Sequence, residues 1–105
     1  MLQVDKNAEG FLLDLNTWNL EIAQHLAREE NIELSTEHLA IINIIREFYQ
    51  EYNLHPGMRV LIKVLQQKIA SEDHKIDSIY IHMKFPHGIK QLSKIAGLPK
   101  PINCI

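Results

Sequence analysis

The chemistry open to this chain centres on one residue. Cys104 is its single cysteine, and it ends the run Ala96-Gly97-Leu98-Pro99-Lys100-Pro101-Ile102-Asn103-Cys104-Ile105. A lone thiol closes no intramolecular disulfide, and one sulfur builds no zinc site without several partner ligands. Core packing is also a poor use for a side chain beside a free carboxylate, where chains fray. A thiol on an extended arm is suited to presentation to another protein. An incidental terminal cysteine is the competing reading, and position alone does not decide between them.

Charge adds to the picture. The formal net charge of -2 conceals two unlike halves. Lys6, Arg28 and Arg46 face ten acidic residues in 1–55, whereas 56–105 holds eight basic residues against Glu72, Asp73 and Asp77. Cys104 belongs to the basic half, where positive potential favours a thiolate or persulfide anion and an acidic partner. Most of these lysines are accounted for as solubilising surface. Arg59 and Lys63 are the exception, because i, i+4 spacing puts both on one helix face. With Lys100 they are the residues expected to support the anion.

Other chemistries are poorly served. Six histidines (His25, His38, His55, His74, His82 and His87) form no HExxH pair, and no metal site is expected. No phosphate-binding glycine loop occurs, and Ser35, Ser71, Ser78 and Ser93 sit in no nucleophile elbow. A helix-turn-helix-like nucleic-acid-binding or regulatory protein with a redox-sensitive tail is the alternative reading. It lacks the dense Arg/Lys/Asn/Gln face of a recognition helix.

The elements that must hold the thiol are mainly helical. A short N-terminal β-hairpin is expected from Leu2-Gln3-Val4, a turn through Asp5 to Gly10, and Phe11-Leu12-Leu13. Asn16 or Thr17 should cap a helix to about Glu30, burying Trp18, Ile22, Ala23, Leu26 and Ala27. Ser35 should cap the next, with Leu34 and Leu39 as a hydrophobic staple and Ile41, Ile42, Ile45, Phe48, Tyr49 and Tyr52 inward. Residues 53–57 break it. A third helix to about Ile69 should bury Val60, Leu61, Val64 and Leu65. After a polar turn from Ser71 to Asp77 come short helices at about 78–85 and 87–96. Gly97 then stops the last one and Pro99 prevents its resumption. From Gly97, an extended arm could carry Cys104 roughly 20–25 Å.

The 105 residues, 46% hydrophobic and 23% charged, fit one domain with one core. We expect a single unit over 1–105: a small helical bundle with a helix-turn-helix-like arrangement and an arm at about 97–105. No apolar run approaches a membrane span, and no signal peptide is evident, so a cytoplasmic setting that keeps the thiol reduced is expected.

Several segments resemble the TusE/DsrC sulfur-carrier family, most closely its TusE branch. They are Glu9-Gly10-Phe11-Leu12, Glu37-His38-Leu39, Arg46-Glu47-Phe48-Tyr49, Pro56 to Lys63, Phe85-Pro86-His87-Gly88, and Ile95 to Pro101 followed by Cys104. The resemblance covers essentially the whole chain in order. It implies a small helical body with an N-terminal hairpin, and a persulfide on Cys104. It also implies a TusBCD-type sulfur donor and an MnmA-type tRNA thiouridylase as acceptor, with tRNA met only within that complex and no cofactor required. The DsrC branch has a second arm cysteine where this chain has Ser93. Two further departures are Leu39, where the family usually has Trp, and Ile89, where it usually has Pro.

Overall fold

Short polar side chains decide where most of the helices begin. In the computed structural model, which describes residues 5–69 and 75–100, Asn19 accepts a hydrogen bond from the Ile22 N–H and starts α1 (Leu20–Glu29). Ser35 accepts from the His38 N–H and starts α2 (Thr36–Tyr52). The third helix, α3 (Met58–Lys68), follows Gly57 with no side-chain cap. Asp77 accepts from Tyr80 N–H ahead of α4 (Ser78–Lys84), and α5 (Ile89–Ile95) follows Gly88. Such caps satisfy donors that no helical carbonyl reaches.

The cap expected at Asn16 or Thr17 is displaced to Asn19. Asp14 accepts from the Asn16 N–H at 3.0 Å, and the Thr17 hydroxyl donates to the Asp14 carbonyl at 2.7 Å. Those bonds wind Leu15–Thr17 into a separate 3-10 turn, leaving Trp18 just before α1.

His38 closes the start of α2 from the other side. Its Nδ1 accepts from the Ser35 N–H at 3.1 Å, and its Nε2–H donates to the Lys84 carbonyl at 3.0 Å. A carbonyl only accepts, so the network assigns the neutral tautomer with the proton on Nε2. One imidazole thereby ties the first turn of α2 to the last turn of α4.

Helix α5 packs on both α1 and α2, and α2 packs on α3. Ile22, Leu26, Ile41, Ile42, Ile45, Leu61, Leu65, Ile81, Phe85, Leu92 and Ile95 meet in one core. Each such side chain stabilises the fold by about 1.5–3 kcal/mol relative to exposure. Ile22, Ala23, Leu26 and Ala27 of α1 and Ile41, Ile42 and Ile45 of α2 are buried as expected, whereas Trp18, Tyr49 and Val64 are only half-buried. Tyr52 and Val60, expected inside, are exposed, and Phe48 is only half-buried. Phe48 and Tyr52 stack on each other instead, with centroids 4.6 Å apart. Val60 is one position from Leu61, a helical step of about 100° away from the core-facing row.

Of the expected hairpin, Leu2-Gln3-Val4 lies outside the described residues. The remainder is a tight turn with one antiparallel bridge, Lys6 opposite Leu12, so pairing extends into the segment expected to be turn. Most of the polar turn before α4 also lies outside them; within its described part, Ile76 is buried in the core.

The unlike halves of the sequence meet in the fold. Lys68 pairs with Glu47, Lys84 with Glu37, Lys94 with Glu30 and Lys100 with Glu9. Ion pairs at or near the surface, like these, add little to stability. Their larger effect is to neutralise the sequence asymmetry locally.

Candidate functional site

The tail leaves the body from a closed helix end. Gly97 takes a left-handed φ of 74°, its N–H bonds the Lys94 carbonyl at 3.2 Å, and the Leu98 N–H bonds the Ser93 carbonyl at 3.0 Å. That is the double bond pattern with which glycine ends a helix. Leu98 is 1% exposed, so the arm expected from about residue 97 is anchored in the core through Leu98 and becomes exposed at Pro99.

Two side chains complete this helix end. The Trp18 indole N–H donates to the Ile95 carbonyl at 2.9 Å. Arg46 donates through Nη1 to the Ala96 carbonyl at 2.7 Å, with its guanidinium 4.1 Å from the Trp18 ring centroid. The carbonyls of residues 92–96 therefore all have donors. A cation is also favoured at the negative end of a helix, and over an indole face. Partial burial pulls Arg46 below the ordinary arginine pKa.

Beyond Leu98 two contacts flank the exposed segment. Lys100 Nζ lies 2.9 Å from Glu9 Oε2. The hydrogen bond from Lys100 holds the Glu9 carboxyl below its usual value, with Lys90 and Lys94 adding charge at longer range. On the other side His55 interacts with the Pro99 backbone, which opposes the lowering of its pKa by burial. The His55 ring packs 5.1 Å from Tyr49, and its Nε2 is buried without a partner.

Cys104 lies outside the described residues, four positions past Lys100, a separation of at most about 14 Å. Arg59 and Lys63 share an exposed face of α3, as their spacing predicts. The described ion pair of Lys100 is with Glu9, not with a group on α3. Sequence reasoning missed Arg46, Glu9 and His55 as parts of the arm's mount and placed Trp18 only in a core stripe. The available signal was that Glu9, Arg46 and His55 lie in or beside the segments that carry the family resemblance.

Ser93, at the place of the second arm cysteine, is fully buried in α5. Ile89 is the first residue of α5, a position where proline costs no helical hydrogen bond and where isoleucine serves as well. Leu39 packs against the core from its edge. Among the described residues, no three His, Cys, Asp or Glu could hold a metal ion, and no helix is long and apolar enough to cross a membrane.

The fold is that of a small, mainly helical protein whose last helix ends in a fully bonded turn at Gly97. Residues 2–105 match the family described as "DsrC like protein", and the chain belongs to that family. It is 44% identical to Sulfurtransferase TusE of Buchnera aphidicola subsp. Acyrthosiphon pisum, over 97% of this chain and 89% of that relative. The solution structure of Allochromatium vinosum DsrC superposes with a TM-score of 0.85 at 42% identity, covering 99% of this chain and 92% of that one. The oxidized gamma-subunit of the dissimilatory sulfite reductase (DsrC) from Archaeoglobus fulgidus gives 0.84 at 32% identity, covering 97% and 92%.

Proposed function

We propose that this chain is a sulfurtransferase of the relay kind, carrying sulfur as a persulfide on Cys104. In this reading a TusBCD-type complex donates the sulfur. An MnmA-type tRNA thiouridylase accepts it for the 2-thio group of wobble uridine, and all of this takes place in the cytoplasm. The Cys104 thiolate attacks the outer sulfur of a donor persulfide, forming Cys104–S–SH and releasing the donor thiolate. The acceptor's thiolate then attacks that outer sulfur, takes it as its own persulfide, and leaves the Cys104 thiolate. Each step exchanges one S–S bond for another, so no cofactor is consumed.

The observation that carries the reading is the pairing of a single thiol with a locked helix end a few residues away. Relatives named Sulfurtransferase TusE support it. Overall identity does not choose between branches, since a DsrC is 42% identical. The cysteine count does: with Ser93 in place of a second thiol, intramolecular disulfide chemistry is unavailable. Arg59, Lys63 and Lys100 are proposed to favour the anion by their charge. The nucleic-acid-binding alternative finds no support, because Lys68, Lys84, Lys94 and Lys100 are each matched to a glutamate.

Intact mass after incubation with a persulfide donor tests the proposal. The expected result is one added sulfur, removed by reductant and absent in Cys104→Ser. Loading that survives Cys104→Ser would overturn it.

A further inference from the structure

We infer that Glu9 is a positioning residue for sulfur transfer: through its ion pair with Lys100 it sets the direction in which Cys104 leaves the body. The inference rests on the carrier reading above. Its physical basis lies at the mount of Glu9. A carboxylate on a loose loop would hold nothing, but the turn carrying Glu9 is tightly built. Asn7 Oδ1 accepts from the Glu9 N–H at 2.9 Å and from the Phe11 N–H at 3.0 Å, while the Gly10 N–H bonds the Asn7 carbonyl at 3.0 Å. Phe11, 1% exposed, seats the turn in the body, and Lys94 Nζ lies 5.4 Å from its ring centroid.

The other half of the pair is equally constrained. Leu98 is buried in the core, so Lys100 is only two residues from a packed anchor. Closing a contact over so short a separation costs little loop entropy. With Leu98 buried and Lys100 held, the described chain is tied to the body to within four positions of the thiol. Holding a ligand near its bound geometry improves affinity by reducing what must be ordered on docking. An exposed ion pair is weak, however, and a bias of about threefold is the expected scale. Such a bias acts on encounter with the acceptor and leaves the reactivity of the sulfur unchanged.

Four proteins test this: the parent, Glu9→Lys, Lys100→Glu, and the charge-swapped double variant Glu9→Lys/Lys100→Glu. Because Cys104 is the sole thiol, a nitroxide label placed there reports arm mobility without any sulfur chemistry. Transfer from the persulfidated proteins to the acceptor thiouridylase is measured in parallel, with dithiothreitol as a small-thiol control. Each single variant should mobilise the label and raise KM for the acceptor about threefold, and in Glu9→Lys kcat and the dithiothreitol rate should be unchanged. The swap should restore both mobility and KM, which a direct contact between Glu9 and the partner would not allow. Unchanged mobility and KM in Glu9→Lys, or a swap that fails to rescue, overturns the inference. A parent that takes up no sulfur overturns the carrier reading and the transfer role with it, whereas a label response in that case still establishes the ion pair.

Discussion

The Trp18 indole fills the space that any side chain at residue 97 would need. A Cβ built on Gly97 would lie 2.8 Å from Trp18 Cγ and closer still to Cδ1, at a backbone φ of 74°. Two residues 79 positions apart thus require each other: the indole packs only because the helix ends in glycine. Gly97 is also where the path of the tail is set.

Gly97→Ala should therefore destabilise the protein by about 2–4 kcal/mol, combining left-handed strain with overpacking against a ring. Denaturant unfolding measures this. Trp18→Ala should also destabilise by itself, yet the two losses should not add, because removing the ring removes the collision. Strict additivity would show that the indole moves aside in the variant.

Arg46 offers a second check on the same helix end. Arg46→Ala removes the donor to the Ala96 carbonyl and the cation over Trp18, and should cost about 1–3 kcal/mol. Trp18 is the only tryptophan, so its fluorescence should shift in the folded variant as its guanidinium cover is lost. An unaltered spectrum with full stability would mean that the stacking contributes nothing.

The substitutions Ile45→Asp and Phe48→Asp separate what the apolar pattern predicts from what the fold does. Both residues fall on one helical stripe in the sequence. Ile45 is 0% exposed, whereas Phe48 is half-buried beside Tyr52 on the outer end of α2. Ile45→Asp should abolish cooperative folding, since it buries an unpaired carboxylate. Phe48→Asp should remain folded at a cost of about 1–2 kcal/mol. Circular dichroism melts of the two variants decide whether the stripe ends where the structure puts it.

This pair also shows why part of the fold was legible and part was not. Periodicity identifies α1 and α2 because their inward residues recur at helical spacing, and Ser35 and Gly97 mark ends by local chemistry that needs no distant partner. It cannot say how far along α2 the neighbours extend, so Phe48 and Tyr52 read as deeper than they are, nor which side of Leu61 on α3 faces the core, so Val60 does too. The site divides in the same way. Cys104, Arg59 and Lys63 were singled out by type and spacing. The bonds Trp18–Ile95, Arg46–Ala96 and Glu9–Lys100 join residues 50 to 91 positions apart, and no local signal pairs them.

Two histidines should make stability fall with acidity before the carboxylates titrate. Burial is the leading cause that lowers the pKa of both His38 and His55. The unfolded chain then binds more protons as pH falls through about 6.5, so stability present above that value declines below it. Protonating His38 removes the acceptor for the Ser35 N–H. Protonating His55 puts a charge on a ring that burial disfavours. Thermal midpoints should be flat from about pH 8 to 7 and drop between about 6.5 and 5, a drop reduced in His55→Gln. A flat profile across that window contradicts the assignment of neutral rings.

The last prediction concerns delivery. Deleting Pro99-Lys100-Pro101 shortens the extended reach by about 10 Å, enough to withdraw Cys104 from a recessed acceptor site. The same deletion removes Lys100 from Glu9. Transfer to the acceptor should therefore collapse, while alkylation of Cys104 by a small reagent proceeds at the parental rate. Replacing the three residues with glycines keeps the length. It loosens the backbone and also removes the lysine, so ordering the arm on docking costs more. That variant should transfer more slowly than the parent but faster than the deletion. The order parent, glycine replacement, deletion follows only if both reach and restricted flexibility count. Equal rates for parent and deletion would mean that the arm does not deliver the sulfur, and that Pro99 to Pro101 serve the packing of the helix end alone.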